Sequence, residues 1–135
     1  GAKLILEALD LIKNGKAKFI TQNDKDATYA KKIEKTESKI NWNLEAKKIV
    51  AKINALHPNP GSWFQLKGLR IKVIKAIEIK AKGKPGELIN ENLTIACFQN
   101  AIKILELKKE GKKKMTAAEF LRGHKIEVGS NVIDV

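Results

Sequence analysis

Cysteine is almost missing from this chain. Cys97 stands alone, which leaves no partner for a disulfide and no thiol cluster for a metal. Histidine is nearly as scarce. His57 precedes a proline at an expected helix end and His124 follows a glycine, and neither has a serine, cysteine or carboxylate pattern beside it. There is no G-x-S-x-G elbow, no H-E-x-x-H and no glycine-rich phosphate loop, so no catalytic residue, metal site or resident cofactor is expected in this chain. Apolar runs are too short to cross a bilayer and no signal peptide opens the sequence, which fits a reducing cytoplasm and no membrane partner. Gly1, in place of an initiating methionine, reads as a cut or processed boundary rather than a natural start. Aromatic residues make up 5%, too few for a surface of exposed rings on which bases stack.

Positive charge is what the chain has in excess. Lysine and arginine number 27 against 15 acidic residues, a formal net charge of +12, so the expected partner is a polyanion. Only Arg70 and Arg122 are arginines. Drift toward lysine in an AT-rich genome would enrich glutamate as well, so it does not account for the imbalance. The length of 135 residues suits one domain plus an appendage, and 43% apolar content is enough for a modest core.

Periodicity divides the chain. Residues 2–13 read as a helix with Ile5, Ala8, Leu9 and Ile12 on one face and Asn14-Gly15 as its stop. Residues 16–26 are polar and read as a linker, with one extended segment around Phe19. A second helix is expected over residues 44–56, with Asn43 as N-cap, Ala46, Ile49, Val50 and Ile53 inward, and His57-Pro58 as its end. Beyond Gly61 the period changes to two. Residues 63–66, 69–80, 87–90, 93–98 and 102–108 read as five short strands. Two of them slip phase, at Ile74-Lys75 and between Ile104 and Leu105, as bulged strands do. Cys97 continues the inward alternation of Leu93 and Ile95 and is read as a small core residue. Thr116 and Glu119 form a T-x-x-E capping box for a short helix with Phe120 and Leu121 on its buried side and Gly123 as its stop. The pattern is mainly β with accessory helices, an α+β chain. Its expected form is a small oligonucleotide-binding-type barrel with one helix packed on it and an N-terminal helical extension.

The basic residues are the candidate site. Lys112, Lys113 and Lys114 are placed at the N-terminal end of the short helix, where their charge opposes the helix dipole. They serve phosphate or they are a solvated loop; both readings stand. Arg70, Lys72 and Lys80 lie on the solvent side of the longest expected strand, and Lys82 and Lys84 carry the charge into a loop. Lysines of this kind also protect strand edges from aggregation. Strict alternation turns Lys75 inward, and a bulge at Ile74-Lys75 would free it. Charge without stacking favours phosphate and shape recognition of folded, double-helical RNA.

Four blocks carry a family resemblance: the Tyr29-Ala30-Lys31-Lys32-Ile33 stretch, Ile40-x-Trp42 leading to Pro58-x-Pro60-Gly61, Gly68-Leu69-Arg70-Ile71-Lys72 with the later Lys84-Pro85-Gly86, and residues 111–123 (GKKKMTAAEFLRG). In this order they resemble the C-terminal domain of methionyl-tRNA formyltransferases, over residues 29–128. The resemblance implies the same barrel fold and binding to the inner side of initiator methionyl-tRNA. Lys31, Lys32, Arg70, Lys72, Lys75, Lys82, Lys84, Lys112, Lys113 and Lys114 are then the nucleic-acid-binding candidates. Residues 1–28 would be the last helix of a catalytic domain plus a linker, and residues 29–135 the tRNA-binding domain. The catalytic Asn, His and Asp and the 10-formyltetrahydrofolate cofactor would belong to a domain that this chain lacks, so the chain alone is expected to be inactive. The alternatives are the C-terminal structural domain of a sugar-nucleotide formyltransferase and a generic oligonucleotide-binding module.

Overall fold

The computed structural model describes residues 1–132, and the chain divides into two units, Gly1–Lys32 and Ile33–Val135. In the first unit, α1 (Ala2–Lys13) forms as its spacing predicts. Gly15, at φ +63°, donates to the Ile12 carbonyl and Lys16 donates to that of Leu11, the paired bonds of a Schellman stop. None of the helix is buried, and Ile5 and Leu9 are 57% and 53% exposed, so its apolar face is bare. No strand forms around Phe19; the next element is a short 3-10 turn at Asp24–Asp26.

The second unit opens on a 3-10 turn, Lys35–Ser38, closed by a Glu34–Glu37 capping box. Ile40 and Trp42 then enter the core, where the Trp42 ring meets Phe64 edge-on at 5.5 Å. The second helix, α2 (Ala46–Leu56), buries Ala46, Ile49, Ile53 and Leu56. It starts two residues later than expected, and Asn43 is not its cap. The Asn43 N–H donates to the Asn41 side chain, holding residues 41–43 in a turn, and the first helical N–H, of Ala46, donates to the Gln99 carbonyl. A tertiary acceptor thus satisfies the helix end that a side chain was expected to cap.

Six strands follow: β1 (Trp63–Leu66), β2 (Leu69–Ile79), β3 (Leu88–Asn90), β4 (Thr94–Ala96), β5 (Ala101–Lys109) and β6 (Lys114–Thr116). They form one antiparallel sheet in the order β1-β2-β5-β4-β3, with β6 pairing β5 beyond the end of β4. The sheet curls into a partly open barrel. Lys67 and Gly68, both at positive φ, make the two-residue turn between β1 and β2. The outer edges of β1 and β3 each take a backbone bond from outside the sheet. Ile40 N–H donates to the Trp63 carbonyl beside β1, and Leu88 N–H donates to Ser130 beside β3.

Both phase slips are bulges. Ile74 is the extra residue on β2 and Leu105 the extra residue on β5, so the pairing resumes at Ala76–Ile104 with its earlier offset. Lys75 is thereby exposed. The last helix, α3 (Ala117–Gly123), carries the expected box: Glu119 N–H donates to Thr116 Oγ1, and Thr116 N–H donates to Glu119 Oε2 at 2.7 Å. Those donors, the Thr116 backbone first, hold the Glu119 carboxyl below its usual range. Gly123 is the final helical residue rather than the stop beyond it. Ala117 and Phe120 are buried, so α3 packs on the barrel as well as α2. Cys97 is 2% exposed, and burial pushes its thiol up to about 11, an inert core residue as its place in the alternation predicts. Among the described residues no helix is long and apolar enough to cross a membrane.

Candidate nucleic-acid interface

Strand register builds the site. Trp63 pairs with Lys72, Lys72 with Lys108, and Lys108 with Lys114. One transverse row therefore crosses β1, β2, β5 and β6 on the outer face of the sheet. Neighbouring strands are about 4.8 Å apart, and like charges set directly opposite are destabilising. Three lysines in consecutive register positions make a surface that favours an anion laid across it. The next outward row is Lys75, Glu106 and Thr116, and Lys114 Nζ reaches Glu106 Oε2 at 3.2 Å.

Arg70 stands two residues before Lys72, on the same face. Its guanidinium lies over the Trp63 ring, 4.2 Å from the centroid, and Lys39 Nζ lies 5.8 Å from the same ring. The ring is half-buried and held between β2 and the Lys39–Ile40 segment. Arg70, Lys72, Lys108 and Lys109 line a cleft of about 290 Å³, with Trp63 as one wall, Pro60-Gly61 as another, and Glu110-Gly111 at the rim.

Two of these cations are anchored. Lys72 Nζ donates to the Pro58 carbonyl at 2.9 Å, and its stem occupies the space that a side chain on Gly61 would need. Lys109 Nζ donates to His124 Nε2 at 2.9 Å. That bond leaves the ring proton on Nδ1, which donates to the Phe120 carbonyl at 3.1 Å while the imidazole stacks on Phe120. Arg70 and Lys108 have no hydrogen-bond or ion-pair partner among the described residues.

The ten candidates from the sequence do not form one patch. Arg70 and Lys72 lie in the cleft, Lys114 continues their row, and Lys75 is one row away. Lys112 and Lys113 are not at a helix end. They sit in the hairpin between β5 and β6, Lys114 is the first residue of a strand, and the helix begins three residues later. The expected conflict with the helix dipole is therefore replaced by cross-strand repulsion. Lys82 and Lys84 follow the opposite end of β2, on a loop that packs against Ile89 and Ala96, and do not line the cleft. Lys31 and Lys32 are exposed at the end of the first unit. Lys108 and Lys109 were not among the candidates. Their signal is pairing register, which one strand read alone does not carry.

Residues 32–125 match the family described as formyl transferase, C-terminal domain, and the chain belongs to that family. Similar proteins include methionyl-tRNA formyltransferases: those of Bradyrhizobium diazoefficiens and Pelagibacter ubique are 38% and 42% identical over 96% and 97% of this chain. The chain spans 43% of the length of each. Among solved structures, a multiply substituted variant of HypX from Aquifex aeolicus is similar, at 26% identity and a TM-score of 0.64, over 93% of this chain and 24% of that one. The generic oligonucleotide-binding module is set aside by the family match.

Proposed function

We propose that this chain is the C-terminal domain of a methionyl-tRNA formyltransferase, and that it binds initiator methionyl-tRNA in the cytoplasm for translation initiation. It supplies affinity and orientation. Formyl transfer from 10-formyltetrahydrofolate takes place on a catalytic domain outside this chain. The Lys72–Lys108–Lys114 row supports the reading most directly, because three lysines set opposite one another across three paired strands repel, with only Glu106 beside Lys114 to offset them, and a polyanion laid across them relieves that repulsion. The relatives' names supply the tRNA. If about four to six phosphates are neutralised, log K for tRNA falls against log salt with a slope of roughly −3 to −5. Filter binding with initiator tRNA and an unstructured RNA of equal length tests this. A salt-independent affinity, or tighter binding of the unstructured RNA, sinks it.

A further inference from the structure

The cleft contains one group unlike the rest. In a chain whose cations are nearly all lysine, the residue set on the Trp63 ring is an arginine. Lysine offers a compact charge on a flexible stem. Arginine offers a planar fork with paired donors that matches two oxygens of one phosphate. The ring beneath it restricts where that fork can lie, and no protein acceptor among the described residues uses its donors. An unspent fork held over a ring at the wall of a cleft is a partly preorganised oxyanion site. The surroundings agree. Lys72 is tied by one bond to Pro58 and keeps its remaining donors, and Lys108 is uncommitted. Glu110 at the rim offsets one of the four positive charges and leaves three.

We infer that the cleft is a seat for a single phosphate, gripped in two-pronged fashion by Arg70 braced on Trp63, with Lys72 and Lys108 closing on the remaining oxygens. This rests on the tRNA-binding reading, and the phosphate is assigned to the backbone of folded RNA. The remaining lysines act as diffuse charge. The seat fixes the register of the RNA on the sheet, and Arg70 is its positioning residue.

Arg70→Lys and Arg70→Ala separate geometry from charge. Lysine keeps the charge and loses the fork. Arg70→Lys is expected to weaken tRNA binding about tenfold with the salt slope unchanged. Arg70→Ala is expected to weaken it at least as much and to reduce the slope by about one. Arg70→Lys that binds like the parent protein overturns the seat while leaving tRNA binding itself intact; a parent protein that fails to bind tRNA overturns the underlying reading instead. Both variants lie on the surface, and an unchanged thermal midpoint confirms that they are folded. A second measurement follows the Arg70 Nε–H resonance. It is expected to shift on adding tRNA and to stay shifted when inorganic phosphate is added at an equal phosphate concentration. Displacement by inorganic phosphate would assign the seat to a free anion and overturn its assignment to RNA.

Discussion

The stem of Lys72 lies across Gly61, in the space any other residue's Cβ would fill. Gly61 is also at φ +77°, a backbone conformation that L side chains rarely adopt. Gly61→Ala therefore meets strain and displacement together. The lysine end can move aside, so the backbone strain dominates, at about 1–2 kcal/mol, and about 1 kcal/mol shifts the melting temperature of a domain this size by roughly 4–8 °C. We expect a folded variant with a midpoint lower by several degrees and weaker tRNA binding, because Lys72 is pushed off Pro58. An unchanged midpoint in a thermal melt would show that the turn has more room than its geometry indicates.

The cationic row and the hairpin tip differ in what they should do. Replacing Lys72, Lys108 and Lys114 together by alanine removes charges that face each other across the sheet. Stability should change little, since losing the Lys72–Pro58 bond is set against the relieved repulsion, and the Lys114–Glu106 pair is exposed and worth little. The salt slope for tRNA should fall by about two to three. Lys112→Ala with Lys113→Ala, at the tip, should change affinity less. Equal losses from the two sets, measured by filter titration, would place the contact at the tip instead of the row.

The Thr116–Glu119 box gives a pH-dependent handle. Thr116→Ala removes the acceptor for Glu119 N–H and should cost about 1 kcal/mol in urea unfolding. Glu119 titrates below its usual range in the folded chain, with the Thr116 backbone N–H as the main cause. A depressed carboxyl pKa adds stability above the ordinary glutamate range, near pH 4.3, and loses it as the pH falls through the lowered folded value. Glu119→Ala should thus be less stable than the parent at pH 7, with the gap closing in acid. A gap of constant size from pH 7 to pH 3 would mean that the carboxylate is not the active partner.

Removing residues 1–32 should leave a cooperatively folding barrel. The second unit has its own core in Ile49, Ile53, Phe64, Ile71, Ile95, Ile104 and Phe120. Burying a large aliphatic side chain is worth about 1.5–3 kcal/mol, and α1 buries none. Calorimetry of the shortened chain should show one sharp transition; a broad, non-cooperative melt would make the first unit part of the barrel's core.

Local chemistry was legible in the residues, and pairing was not. The phase slips at Ile74 and Leu105 announced both bulges, because a side-chain period of two cannot hide an inserted residue. Thr116 and Glu119 fixed the start of the last helix, since capping is decided within four residues. The start of α2 was misplaced because its decisive acceptor, Gln99, is more than fifty residues away. The strand Lys114–Thr116 escaped notice for a related reason. Three residues show no period, and its partner Met115–Leu107 exists only once β5 is in place. That omission hid the lysine row, which is a property of three paired strands and belongs to none of them alone.

The two bulges act together as a joint in a beam. Each inserts one residue, and because they lie on opposite strands the insertions cancel, leaving Lys72 opposite Lys108 on one side and Ile77 opposite Lys103 on the other. The sheet bends there without losing count. Losing Ile74 or Leu105 alone would put one half of the β2–β5 pair out of step with the other, and losing both would straighten the strands yet keep every partner. Side chains within the barrel can be exchanged at modest cost to the outer row, but a change in the length of one of these two strands would dismantle it.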